Sequence, residues 1–235
     1  MKKRLKINGI IMGCAGILIV LFPGVFMRRY SGGPWEDWIE LLGFALIFLG
    51  QIIRVSARGY KAEYSDQSQA LIQGGPYQAV RNPMYLGIFL IGLGVVLAVF
   101  QWWAAVIFVT IFIIRYLLLI YKEEKKLLTI FPGVYKEYCR KVPRIFPALS
   151  GMIKLDIGDY LPLKITWFKK EIGSIVTLLL LTLLVASWEE IVGKGFSAYL
   201  KQLFWLFLTF ALFVILAVSL SRRTKKRNEN SANKN

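Results

Sequence analysis

Six apolar runs, most of them about as long as a bilayer is thick, constrain the fold of this chain more than any other feature. A transmembrane helix needs about 20 consecutive, mainly apolar residues. Hydrophobic residues make up 56% of the chain and its mean hydropathy is +0.54, which excludes an ordinary soluble domain. The sequence therefore predicts an all-α polytopic membrane protein with about six transmembrane helices and a cytoplasmic helical extension. The predicted spans are residues 7–27, 38–55, 84–100, 102–121, 172–188 and 200–220.

The charge of the chain is strongly basic, with a formal net charge of +16. Basic residues beside apolar spans typically set membrane topology and contact anionic lipid headgroups, so membrane lipids are the expected partners and nucleic acid is not. If six spans alternate in direction, 25 of the 30 Lys and Arg residues fall on one side of the membrane. The excess predicts that both termini and the polar segments are cytoplasmic, in a protein of the plasma membrane.

Polar residues close to apolar spans are concentrated between positions 73 and 147. Two polar clusters bracket two consecutive spans with a very short turn at Gln101, so both clusters return to the same side of the bilayer. We predict three parts: N-terminal spans and a polar loop at 1–72, a catalytic core at 73–147, and a linker, a hairpin and a disordered basic tail at 148–235. Cys14 and Cys139 lie in unrelated contexts, so neither a disulfide nor a metal site is predicted.

Three segments of the core carry a family resemblance: GPYQAVRNPMYLG at 75–87, EE at 123–124, and FPGVYKEYCRKVPRIFP at 131–147. In this order they resemble the membrane-embedded S-adenosylmethionine (SAM) methyltransferases, which include isoprenylcysteine carboxyl methyltransferases and phospholipid N-methyltransferases. Asn82 stands where many members of the family have His. No step can use an imidazole, because the chain contains no His.

The resemblance implies SAM as the cofactor and a site formed by the RNPMYLG turn, the EE helix and the Tyr-rich segment after it. Arginine can hold a carboxylate through two hydrogen bonds, so Arg81 or Arg144 is expected to bind the methionine carboxylate of SAM. Glu123 or Glu124 can accept from its ammonium group or from ribose hydroxyls. Arg81, Glu124 and Arg144 are the expected catalytic residues. The expected cofactor-binding residues are Arg81, Asn82, Pro83, Tyr85, Gly87, Glu123, Glu124, Tyr135 and Tyr138.

The acceptor is expected to be lipid-like or a small apolar molecule. Methyl transfer from a sulfonium depends mainly on alignment and on exclusion of water. A carboxylate or thiolate acceptor needs no base and would be attracted by the Lys and Arg residues of 136–144, so it is preferred over a phospholipid amine. Two further alternatives stay open: an NADPH-dependent membrane reductase of the sterol type, and a protein without catalytic activity that binds lipid headgroups.

Other features have a structural interpretation beside a functional one. Gly43 and Gly50, seven residues apart, favour helix packing, as do Gly92 and Gly94. Arg115 either faces the site or extends along the helix to the nearby interface, and helical phase leaves both open. The C-terminal hairpin has three open roles: oligomerisation, a substrate entrance, or packing.

Overall fold

The computed structural model describes residues 21–27, 34–65, 71–147, 157–177, 180 and 196–232. Throughout these residues the regular structure is helical, with a single isolated bridge between Met27 and Phe100. The all-α fold class is therefore confirmed. The named helices are α1 Pro23–Phe26, α2 Pro34–Ser65, α3 Pro76–Ala79, α4 Pro83–Val99, α5 Trp102–Ile130, α6 Pro132–Lys141, α7 Ile157–Tyr160 and α8 Phe196–Ala232. Residues 165–177 are helical as well.

Within the described ranges, three helices are long and apolar enough to cross a membrane, namely Trp35–Ser65, Trp102–Ile130 and Leu203–Arg223. The apolar helix α4 is shorter, at 17 residues. Together they indicate an integral membrane protein. Most of the predicted first span (7–27) and of the predicted fifth span (172–188) lies outside the described residues, so the number of six spans stays a prediction.

The second helix extends well beyond the span predicted for it. The predicted span ends at Val55 and is followed by a predicted polar loop, whereas α2 continues to Ser65. That prediction is wrong for residues 56–65. Polarity alone does not end a helix, and this segment contains no proline. The first residues of this segment are also packed in the interior, since Ser56 and Ala57 are fully buried.

Glycines allow α2 and α4 to approach each other closely. A Cβ atom on Gly43 would lie 2.8 Å from the carbonyl oxygen of Gly94, and one on Gly50 would lie 2.6 Å from that of Gly87. Both distances are too short for a side chain, so a methyl group at either position would push the backbones apart. The packing interpretation of Gly43, Gly50 and Gly94 is confirmed, and Gly92 packs against the ring of Phe108 instead.

The hairpin of α4 and α5 returns the chain to the side from which it came, as predicted. α5 is a single helix of 29 residues that carries Glu123 and Glu124 past its apolar part. α6 then begins at Pro132, close to the predicted break, and buries Tyr135 and Tyr138 on one face. The Asn82 end of α4 and the Glu123 end of α5 therefore lie at the same end of the hairpin.

The segment predicted as a linker up to Lys170 packs against α2. Leu163 is fully buried, and the indole of Trp167 lies directly over Gly59, where a Cβ atom would come within 2.2 Å of the ring. Ser56 donates a hydrogen bond to the carbonyl oxygen of Pro162 at 2.6 Å. The linker prediction is therefore wrong for residues 157–170, where the chain forms two helical segments that cover the extension of α2.

Ion pairs hold the same segment in place. The buried carboxylate of Glu171 pairs with Arg58 at 2.6 Å and with Arg54 at 3.5 Å. Arg54 also donates to the hydroxyl of Ser174 at 2.9 Å. Further along the chain, α8 continues through the predicted disordered tail to Ala232, so that prediction is wrong for residues 221–232. The tail lacks glycine and proline over these residues, which leaves the helix without a stop signal.

Candidate functional site

The turn before α4 places Arg81 at the mouth of the helical hairpin. Gly75 has a φ of +58°, a conformation that only glycine adopts without strain, and its backbone packs against the ring of Tyr60. α3 follows, and Val80 then returns the backbone to an extended conformation. Pro83 occupies the first turn of α4, where its missing N–H costs nothing. The turn thus leaves Arg81 and Asn82 just before the start of α4.

A cluster of three charged side chains forms the base of the site. The carboxylate of Glu124 lies 3.0 Å from Nη1 of Arg81, and it accepts two hydrogen bonds from Arg144, at 2.7 and 3.2 Å. The side chains of Glu124 and Arg81 are only 9% and 12% exposed. The two arginines compensate the charge of this buried carboxylate. Ion pairs therefore join the three sequence segments that carry the family resemblance.

Backbone contacts connect the same two segments. The N–H of Arg81 donates to the carbonyl oxygen of Pro143 at 2.8 Å, and the amide of Asn82 donates to that of Arg144 at 3.1 Å. Nη1 of Arg81 also lies 2.6 Å from the sulfur of Cys139. Its Nε is buried and has no hydrogen-bond partner among the described residues. The segment after α6 is thereby fixed to the turn before α4.

Glu123 is adjacent to Glu124 in sequence, but it has a different environment. Its side chain is exposed, and it accepts a hydrogen bond of 2.8 Å from the hydroxyl of Tyr85 on α4. Within the described part of the chain, no Lys or Arg forms an ion pair with it. The negative charge of Glu123 therefore stays available to a ligand.

Tyrosines from α3 and α6 form one wall of the site. The hydroxyl of Tyr138 donates to the carbonyl oxygen of Tyr77 at 2.6 Å. Burial, and after it the charge of Glu123, raises the pKa of the Tyr77 phenol. Burial likewise raises the pKa of Tyr135 and of Tyr138, with the charge of Glu124 as the next cause for Tyr135. These phenols are neutral at physiological pH, so they act as hydrogen-bond donors and not as bases.

These elements enclose a cavity of about 280 Å³. Its volume is close to the lower limit for small-molecule sites, which is roughly 300 Å³. Charged groups, phenol rings and aliphatic side chains all contribute to the wall, so the cavity suits a ligand with polar and apolar parts. The lining residues are Lys61, Leu71, Ile72, Tyr77, Arg81, Asn82, Pro83, Met84, Tyr85, Glu123, Glu124, Leu127, Phe131, Tyr135 and Tyr138.

Most of the predicted site residues lie at this cavity, and two do not. Arg144 contacts Glu124 from outside the lining. Gly87 faces α2, where a Cβ atom would lie 2.8 Å from the carbonyl oxygen of Gly50, so its position corresponds to helix packing and not to the approach of a ligand. Arg115 is exposed on α5 and does not line the cavity.

The structure adds site residues that the sequence analysis missed. Lys61 comes from the part of α2 that was predicted as a loop, and it now lines the cavity. Tyr77 lies within the quoted motif GPYQAVRNPMYLG but received no role. A sequence signal existed for Tyr77, because it lies close to Arg81 in that motif. No comparable signal marked Lys61, because it is one of several basic residues in the polar stretch that follows the second apolar run.

Part of the chain matches a known protein family. Residues 38–133 match the family model described as phospholipid methyltransferase. This match runs from α2 to the start of α6 and includes Arg81, Glu123 and Glu124. It confirms the resemblance to the membrane-embedded methyltransferases.

A curated relative is the nickel-cobalt-cadmium resistance protein NccN of Alcaligenes xylosoxydans xylosoxydans, which is 30% identical over 141 residues. The aligned part comprises 57% of this chain and 65% of the relative, which is slightly less than two thirds of its length. No solved structure matches the chain.

Proposed function

We propose that this protein is a SAM-dependent methyltransferase that acts on a lipid-like or small apolar acceptor, with a carboxylate or a thiol as the preferred nucleophile. The observation that carries the proposal is the cavity between the Arg81 turn and the Glu123 end of α5. Charged groups of both signs meet aliphatic and aromatic side chains there, at the end of an apolar hairpin. The match to the phospholipid methyltransferase family supports the type of reaction.

The lining of the cavity fits the chemical groups of SAM. Neutral phenols and aliphatic side chains suit an adenine ring, and the carboxylate of Glu123 can accept from an ammonium group or from ribose hydroxyls. Arg81 has a buried Nε that finds no partner in the described part of the chain, and Asn82 and Tyr85 offer neutral polar groups. When bound, SAM supplies a methyl group that is already activated by its sulfonium. The residues of this chain bind, align and exclude water.

The charge distribution favours an acceptor that needs no base. Glu124 is held by two arginines, so removing a proton from an amine would cost it that ion pair. The exposed basic residues Lys136 and Arg140 lie on α6 beside the site and attract an anion. A carboxylate or a thiolate is therefore preferred.

A phospholipid amine is the second candidate acceptor, and the description of the matched family favours it. For that reaction Glu123 is the available carboxylate, since it has no ion-pair partner among the described residues. In this case Glu123 would accept the proton of the amine, and Tyr85 would keep the carboxylate oriented.

Isothermal titration of the purified protein with SAM and, separately, with NADPH tests the type of enzyme. We expect saturable binding of SAM and none of NADPH. Binding of NADPH alone would indicate a membrane reductase, and binding of neither would favour a protein that interacts with lipid headgroups.

The acceptor is tested by incubating membranes with SAM that carries a radiolabelled methyl group, followed by mild base. A methyl ester releases volatile labelled methanol, whereas an N-methyl lipid keeps its label. We expect base-labile label, or base-stable label on a small thiol. Label that stays in a phospholipid fraction would establish the amine candidate.

A further inference from the structure

The charged groups of the cavity fall into two sets. Arg81 and Glu124 are paired with each other, and Arg144 completes their cluster. Lys61 lines the same cavity, and no ion pair or hydrogen bond joins its side chain to another group in the described part of the chain. Among the described lining residues, Lys61 is therefore the cation whose charge is not already compensated by a carboxylate.

The position of Lys61 is fixed although its ammonium group is not. It lies on the polar extension of α2 (residues 56–65), next to Tyr60, whose ring packs under Gly74 and Gly75. On the other side of the extension, Trp167 covers Gly59. The backbone at Lys61 is thus held between the turn that carries Arg81 and the segment 157–177. A long, flexible side chain on a rigid backbone suits a counter-ion for a mobile ligand.

We propose that Lys61 is the counter-ion for the carboxylate of the methyl donor. This inference rests on the proposed function and revises one of its roles, because the sequence analysis assigned the carboxylate to Arg81 or Arg144. Those arginines would have to share their charge with Glu124, whereas Lys61 has no competing partner within the described residues. An ion pair at the wall of a cavity is stronger than one in open solvent, since less water screens it.

Isothermal titration with two ligands tests this contact directly. Lys61→Met is compared with wild type for binding of SAM and of decarboxylated SAM, which lacks only the carboxylate. We expect the variant to bind SAM about ten-fold to a hundred-fold more weakly, the range for a lost charge-assisted contact. Its affinity for decarboxylated SAM should equal that of wild type, and Lys61→Arg should restore most of the affinity for SAM.

Lys126→Met is the matched control, because Lys126 is exposed on α5 and does not line the cavity. It should bind both ligands like wild type, and equal thermal unfolding midpoints should show that each variant is folded. If wild type and Lys61→Met bind SAM equally, or if Lys61→Met loses affinity for both ligands alike, the assignment of Lys61 is overturned. If wild type itself binds neither ligand, the proposed function fails, which is a separate outcome.

Discussion

Glu123 and Glu124 are adjacent and identical, but they have different environments and different roles. Glu124 is buried between Arg81 and Arg144, while Glu123 is exposed and accepts a hydrogen bond from Tyr85. The first joins two segments of the chain, and the second is available to a ligand. Substitutions at the two positions should therefore have different effects.

Glu124→Gln is expected to destabilise the protein, because it leaves the charge of Arg81 buried without a carboxylate. Breaking a buried ion pair on one side costs about 3 kcal/mol or more, and we expect the lower end because the side chain of Arg144 is 46% exposed. The measurement is the thermal unfolding midpoint in detergent. Glu123→Gln is the control and should unfold like wild type, while its affinity for SAM decreases. Equal midpoints for all three proteins would contradict the structural role of Glu124.

The buried tyrosines predict how stability depends on pH. Burial raises the pKa of Tyr138 above its ordinary value of 10.0, so the unfolded chain loses this proton at a lower pH than the folded protein. The phenol therefore contributes stability below pH 10 that is lost as the pH rises above that value. We expect the unfolding midpoint of Tyr138→Phe to fall less than that of wild type between pH 9 and 11. Tyr121→Phe, at an exposed position on α5, should follow wild type, and a Tyr138→Phe profile identical to both would refute the effect.

At the scale of the helices, glycines bring the backbones of α2 and α4 close together. Gly87→Ala would place a methyl group 2.8 Å from the carbonyl oxygen of Gly50, so the helices must separate. Overpacking of this kind costs about 1–3 kcal/mol. We expect a lower unfolding midpoint, measured in the same detergent. Gly133→Ala is the matched control, because a Cβ atom there would meet no other part of the described chain within 4 Å, and its midpoint should not fall below that of wild type.

The helices and the outline of the site could be predicted from the sequence, because apolar length, proline positions and clustered polar residues act locally. The hairpin of α4 and α5 and the short helix with Tyr135 and Tyr138 depend on such signals. Gly87 could not be assigned in this way. A glycine allows the close approach of a ligand or of a neighbouring helix, so the residue type does not distinguish the two. The position of α2 in the structure does.

The polar part of α2 was missed for a related reason. A helix that leaves the membrane can become polar without ending, so the composition of residues 56–65 does not distinguish a loop from a helix. Lys61 lies in this segment, so its place in the site was not predicted either. The packing of Trp167 on Gly59 joins residues more than one hundred positions apart, and no local pattern reports such a contact.

For the whole molecule, the distribution of basic residues predicts its orientation. Because 25 of the 30 Lys and Arg residues fall on one side if six spans are present, we propose that the cavity and both termini face the cytoplasm. A cysteine placed at Lys125, in a Cys139→Ser background, should react with an impermeant maleimide only after cells are opened. A reporter fused after Asn235 should be active in the cytoplasm. Labelling of intact cells at position 125 would place the cavity on the outside instead.

The indole of Trp167 on the bare backbone of Gly59 also limits how the sequence can change over evolution. A larger residue at position 59 would have no room under the ring, so related chains should lose the glycine and the tryptophan together or keep both. Residue 59 falls inside the segment matched by the family, and residue 167 falls outside it. The contact thus couples the choice of residue within the matched segment to a residue beyond its end.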